Sequence, residues 1–561
     1  MPKKLAVTIA GAVSLGSYEA GVLWEVLDAI RQHNSKAASD ADKIIIDVLT
    51  GASAGGMTAI ILAQKLLYNG GEFADPYDNP LYNVWVQRIS LAGLQETRAG
   101  ESALQSIFSS DLIETISEEA LMARYAHGTP PAAQRHPAVG DNLGVGVAMT
   151  NLNGIPYGYQ ALPDGTFTYI DCGDQLTRKI DAVKNDNAQS WEMLRQAAVA
   201  CGAFPFAFRP QAIERSTSGE DALDYDSVNL QWDGRPRTFT YSDGGILQNQ
   251  PLGMAKDLVD PIDCHLQEKR FYLFVSPHAK DPKPVEFTTQ DANYIQTLKR
   301  LVSLAAGQSG FEDWIKAQQV NERVRLLDDR ALGLKNAILA GEIDVGSLNT
   351  TAAAILRLFF PTGQHVPPGS SVVETLENAR ARIEKQYAVE ISALAPIAMA
   401  QAAFRDSVLA FETAAGLGGR DIMTIYGVTA KSSELAGAGL QAFLGFFDEA
   451  FRQHDYDVGR DHAQKVLARI SGPDSELGLT GYEPSAIRPI DHSLDGLELD
   501  ALPKEDVEPF KQGVRRRVNQ MLKELHPGYG AADFLVDALI DRVIGRAMPA
   551  KPDPTLPLGR L

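Results

Sequence analysis

Apolar and polar positions change period several times along the first eighty residues, and each change predicts an element. Lys4 to Ala10 is a short apolar run, as a buried strand would be. A turn through Gly11 to Gly16 follows, and then Val22, Leu23, Val26, Leu27 and Ile30 recur at helical spacing on one face. Ile44 to Leu49 is rich in β-branched residues and reads as a second strand. It leads through Gly51-Ala52-Ser53-Ala54-Gly55-Gly56 into a helix over Met57 to Leu67, which stops near Asn69-Gly70-Gly71. Strand, loop and helix, repeated, predict a mainly parallel α/β sheet.

The stretch to about residue 140 reads as helix and loop, anchored by Trp85 and Phe108. Leu143 to Met149, Thr238 to Ser242 and Arg270 to Ser276 are further strands; Pro277 and Lys280-Asp281-Pro282-Lys283-Pro284 then punctuate the chain. A first domain is therefore expected over residues 1–285. Residues 286–561 read as a second, mostly α-helical domain, because 294–340 and 371–414 are rich in Ala, Leu, Gln, Glu and Arg. Leu440, Phe443, Leu444, Phe447 and Phe451 predict a helical stripe, read as a core face, with a lid or membrane-touching surface as the alternative. No internal repeat occurs, and the proline-rich tail from Pro549 is expected to be extended.

Bulk properties narrow the function. The chain has 561 residues, 45% apolar and 22% charged, ordinary for a globular protein of more than one domain. A net charge of −19 opposes nucleic-acid binding, which draws its affinity from Lys and Arg on phosphates. The three cysteines, Cys172, Cys201 and Cys264, form no Cys-x-x-Cys pair, so neither a disulfide framework nor a cysteine zinc site is expected. Met1-Pro2-Lys3-Lys4 before an apolar run has the parts of a secretory leader, but the turn and helix that follow read as a folded domain, so the run is taken as its first strand. The expected location is the cytoplasm, with peripheral membrane contact.

Three blocks carry chemistry. Gly51-Ala52-Ser53-Ala54-Gly55 is a G-x-S-x-G pattern between strand and helix, where a sharp turn exposes a serine hydroxyl and the helix aims its first amides at a developing oxyanion. Asp243, before Gly244-Gly245 and after the Thr238–Ser242 strand, sits at a strand end, where α/β sheets place reactive groups. The loop Gly11-Ala12-Val13-Ser14-Leu15-Gly16 has phosphate-loop spacing, but Ser17 stands where a nucleotide site needs lysine, which leaves an oxyanion loop as the better reading. His265, His278 and His365 are the histidines a Ser-His-Asp triad could draw on, and nothing in their surroundings singles one out.

Together with Ala200-Cys201-Gly202-Ala203-Phe204-Pro205-Phe206-Ala207-Phe208-Arg209-Pro210, these blocks resemble, in order, the patatin-like phospholipase family. The resemblance implies a three-layer α/β/α catalytic domain and a Ser-Asp dyad without histidine. Ser53 would be the nucleophile, Asp243 the base, and the amides of Gly11, Ala12, Val13 and Ala54 the oxyanion hole; Gly16, Gly51, Gly55, Gly244 and Gly245 complete the motifs. It implies a lipid or other acyl-ester substrate and no metal or organic cofactor. Ala12 and Val13 replace common glycines, Leu15 replaces the usual arginine, and valine resists a positive φ. An acyltransferase or thioesterase with the same dyad, and a non-catalytic lipid-binding protein, are the alternatives. The helical half, from Ser433 through Phe443 to Asp455–Arg460, is similar to the C-terminal part of larger bacterial patatin-related proteins.

Overall fold

Lys3–Ile9 (β1) is apolar on both faces and buried from Leu5 onward, as a central strand of a parallel sheet must be. The computed structural model describes residues 2–525 apart from 99, 163–164, 226–228, 264–269, 278–286, 289–296, 298–311, 366–373, 418–422 and 473–474. Cys264, His265, His278, the 280–284 segment, the start of the 294–340 helix and the tail lie outside the described residues.

The chain then runs through Gly16–Lys36 (α1), Ile44–Gly51 (β2), Ala54–Tyr68 (α2), Asp111–Leu121 (α3), Val139–Leu162 (β3), Gly165–Asp181 (β4), Ala188–Cys201 (α4), Gln211–Arg215 (β5), Arg237–Asp243 (β6), Leu252–Asp263 (α5) and Arg270–Ser276 (β7). Four strands, β7, β1, β2 and β3, form a parallel core. β4 and β6 both pair antiparallel to β3, and β5 pairs antiparallel to β6. The sheet is thus mixed and mostly parallel, with helices packed on it, as a patatin-type α/β/α domain requires. β3 is far longer than the expected Leu143–Met149 run, because its outer half continues as a hairpin arm with β4. That arm was not read from the sequence.

The division at residue 285 does not hold for the sheet. Thr424–Thr429 (β8) pairs in parallel with β7, so the strand order is β8-β7-β1-β2-β3-β6-β5. Without β8, the apolar β7 would present an open edge. Between β7 and β8 the chain forms helices Glu312–Leu339 (α6), Val345–Phe359 (α7), Leu376–Gln386 (α8) and Ala400–Ala414 (α9). They share a separate apolar core that includes Leu356, Ile383, Phe404 and Val408.

After β8, Glu449–Ile470 (α10) packs on α1, and Lys504–Leu525 (α11) follows. Gly21 of α1 and Gly459 of α10 let the two backbones touch, since a Cβ at either would clash with a carbonyl of the other helix. α1 is therefore buried on its polar face as well as its apolar one, and Glu25 there meets Arg460 at 2.9 Å with both side chains fully buried. The expected Leu440–Phe451 stripe is broken: a turn of helix at Gly439–Ala442 ends, and α10 begins afresh at Glu449, capped by Asp448. Phe451 joins a small core with Leu444, Leu499 and Leu502, whereas Phe443 turns towards Phe108 and Phe204.

Candidate active site

Only Ala52 and Ser53 separate β2 from α2, so the chain reverses within two residues. Ser53 takes up the reversal at φ 51° and ψ −129°, a conformation costly for any side chain. The turn is possible because its neighbours are small: a Cβ on Gly55 would clash with the carbonyls of Ala10 and Ile9, and one on Gly51 with that of Gly55.

Asp243 ends β6, paired opposite Met149 of β3. Its backbone is pinned on both sides, with its amide donating to Ala203 O at 2.9 Å and its carbonyl accepting from Thr150 Oγ1 at 2.7 Å. Its carboxylate bridges two donors: the Ser53 hydroxyl donates to Oδ2 at 2.6 Å and the Gly245 amide to Oδ1 at 2.6 Å. Both Ser53 and Asp243 are buried. Burial pushes the Asp243 carboxyl up to about 7, against the opposing pull of the Ser53 hydroxyl and the Gly245 amide. A carboxylate with the ordinary value is a feeble base for a hydroxyl; one near 7 is matched to neutral pH.

The loop after β1 lies alongside, since a Cβ on Gly11 would come within 3.1 Å of Ser53 Cβ. The Gly11 amide, expected among the oxyanion donors, already donates to Asn249 O at 3.0 Å. The amides of Ala12, Val13 and Ala54 have no acceptor among the described residues. Val13 does take a positive φ, 52°. Leu15 is fully buried, facing Gly437 of the C-terminal half. Gly16 lies under the Trp85 ring, and Gly244 lies against the Ala148 carbonyl.

Several neighbours escaped the sequence reading. Cys201, at the end of α4, donates its thiol to Ser53 O at 3.7 Å, and burial, reinforced by the Asp243 charge, pushes that thiol well up, so it is held protonated beneath the elbow. Thr150 carries no local signal, whereas Cys201 and Phe204 stood in the 200–210 block without a role being read for either. Phe204, Phe108 and Phe443 pack as an aromatic cluster, with Phe443 at 5.6 Å from Phe204 and 6.1 Å from Phe108. His365, the described member of the three candidate histidines, packs against Phe359 and Phe360 beside the helical core between β7 and β8. No histidine bonds Ser53 or Asp243 among the described residues, and none of those residues form a His/Cys/Asp/Glu group able to hold a metal.

Residues 7–256 match the family model of the patatin-like phospholipases. The chain carries a patatin-like phospholipase domain. It spans β1 to α5 and holds both Ser53 and Asp243. Over most of its length the chain is also similar to the uncharacterized protein y4iI of Sinorhizobium fredii (strain NBRC 101917 / NGR234), at 24% identity covering 83% of this chain. The chain spans 64% of that relative's length. For residues 7–256 that match supports a relation to the lipid acyl hydrolase family in general.

Proposed function

We propose that this protein is a serine acyl hydrolase of the phospholipase A or lipid-esterase type, working through a Ser53–Asp243 dyad. The observation that carries the reading is the 2.6 Å hydrogen bond from Ser53 to a buried Asp243 whose carboxyl is raised to about 7. Ser53 Oγ attacks the ester carbonyl carbon while its proton passes to Asp243 Oδ2. The oxyanion is met by the amides of Ala12, Val13 and Ala54, at the start of α2. Collapse expels the alcohol, which takes the proton back from Asp243. Water, deprotonated by Asp243, then cleaves the acyl-enzyme to free the fatty acid and restore Ser53.

Residue types around the site favour a lipid ester. Leu152, Phe206 and Leu247, in the segments next to Asp243 and its backbone partners, are 55%, 69% and 44% exposed. They suit work at a lipid surface by a cytoplasmic protein that visits the membrane peripherally. No helix among the described residues is long and apolar enough to cross a membrane.

The test is release of free fatty acid from mixed phospholipid vesicles, followed by mass spectrometry with calcium chelated. Wild type should release acid, and Ser53→Ala and Asp243→Asn should not. Transfer of the acyl group to an added alcohol in preference to water would assign an acyltransferase instead, and preference for thioester substrates a thioesterase. A folded wild type that neither releases acid nor reacts with a fluorophosphonate at Ser53 would leave a lipid binder.

A further inference from the structure

We propose that residues 436–446, in the C-terminal half, are a working part of the oxyanion site: they hold the loop of Ala12 and Val13 in its strained form, with Ser14 and Asp455 as positioning residues. The inference rests on the acyl-hydrolase reading for its catalytic consequence, but not for its structural one.

Val13 at φ 52° is a β-branched residue in a region that its side chain disfavours, so something outside the loop must hold it there. The next two side chains are where the loop is gripped. Ser14 is fully buried and its hydroxyl donates to the carbonyl of Ala442. Ala442 is itself at φ 64°, a second non-glycine in the left-handed region, ending the turn of helix that carries the carbonyl. Leu15 is fully buried, and its Cδ2 would lie 3.0 Å from a Cβ on Gly437; a Cβ on Gly445 would lie 2.6 Å from Ser14 Oγ. Glycines at 437 and 445 thus let the segment close directly on the loop.

The segment is pinned at both ends by α10. The buried Asp455 carboxylate accepts from the amides of Ala436, at 2.7 Å, and Gly437, at 2.9 Å. His454 bonds the same carboxylate at 3.1 Å and reaches Asp495 at 2.9 Å. At the other end, the Arg452 guanidinium donates to Gly445 O at 2.9 Å and to Val86 O at 2.8 Å, beside the Trp85 ring that covers Gly16. Two segments over 400 positions apart, joined by Ser14 and Ala442, therefore form one unit, and both amides assigned to the oxyanion from the first loop belong to it.

The experiment compares wild type, Ser14→Ala, Asp455→Asn and the double variant Ser14→Ala/Val13→Gly, all checked for folding by circular dichroism. Turnover of a soluble p-nitrophenyl ester gives kcat and KM, and hydrogen exchange is read over the 11–16 peptide. Ser14→Ala should lower kcat by about ten- to a hundred-fold, the scale of one strained residue relaxing, with KM changed less than about threefold. Glycine holds a positive φ without strain, so the double variant should regain at least about tenfold of the lost kcat. A purely structural role for Ser14 would not produce that rescue. In Ser14→Ala and Asp455→Asn, exchange over 11–16 should rise while that of β2 stays unchanged. Unchanged exchange in both, or a wild-type kcat in a folded Ser14→Ala, overturns the proposal. A wild type inert to the ester and to a fluorophosphonate, with exchange over 11–16 still raised in the two variants, would sink the hydrolase reading and leave the grip of the segment standing.

Discussion

Replacing Asp243 by asparagine should abolish turnover and yet stabilise the fold, by an amount that depends on pH. Burial holds the carboxyl at about 7 against an ordinary 3.8, so the folded chain favours the protonated form. Its contribution to stability is therefore full below the unfolded value and is lost as pH rises through about 7. At 1.36 kcal/mol per pH unit, the gap between those two values corresponds to roughly 4 kcal/mol at pH 8 and roughly 2 kcal/mol at pH 5. Asparagine keeps an oxygen for the Gly245 amide and offers the Ser53 oxygen a donor, so it removes the charge with little change of shape. Urea denaturation of both proteins, followed by tryptophan fluorescence at pH 5 and pH 8, isolates the effect, because every other titrating group cancels in the difference. The variant should gain on the wild type as pH rises. A variant equally or less stable at pH 8 would refute the claim that Asp243 is held in a costly charged state, and with it the explanation of how a carboxylate serves as base. By the same linkage, kcat/KM of the wild type should rise with pH through an apparent value near 7, since only the ionised Asp243 accepts the serine proton.

Three further outcomes follow from the packing. Ser53→Gly should be more stable than the wild type by about 1 kcal/mol in thermal unfolding, because glycine relieves the φ of 51°; no gain would mean that the elbow stores no strain. Arg460→Ala should cost about 3–5 kcal/mol, since it leaves Glu25 buried without its 2.9 Å partner; a loss under about 1 kcal/mol would show that Glu25 is neutral in the fold. A fragment ending at residue 285 should be insoluble or unstable, because β7 loses β8 and α1 loses α10; a soluble, cooperatively folding fragment would show that the C-terminal half is dispensable to the sheet.

The chain's local periodicity was enough to read β1, α1, β2, α2, β6 and β7 within a few residues, because strand and helix patterns are written over five to fifteen neighbours. Ser53 and Asp243 were legible for a related reason. A strand-to-helix reversal and a strand end need small residues around Ser53 and Asp243, and the glycines at 51, 55, 244 and 245 mark both places. The arm of β3 and β4 carried little signal because Phe167, Thr168, Tyr169 and Ile170 are exposed one after another, so no alternation survives there. The break before α10 was hidden because Leu440 to Phe451 keeps helical spacing across a turn.

What only the tertiary structure decided is everything that depends on segments far apart in the chain. Joining Ser53 to Asp243 spans 190 positions, and the elevated pKa comes from desolvation by a surrounding core that no short window contains. That the Gly11 amide donates to Asn249, that Val13 is held at a positive φ, and that β8 closes the sheet are likewise set by distant partners. Sterics and periodicity act between neighbours and are spelled out in order along the chain; burial, pairing and strain act through space, and are determined only once the chain has folded.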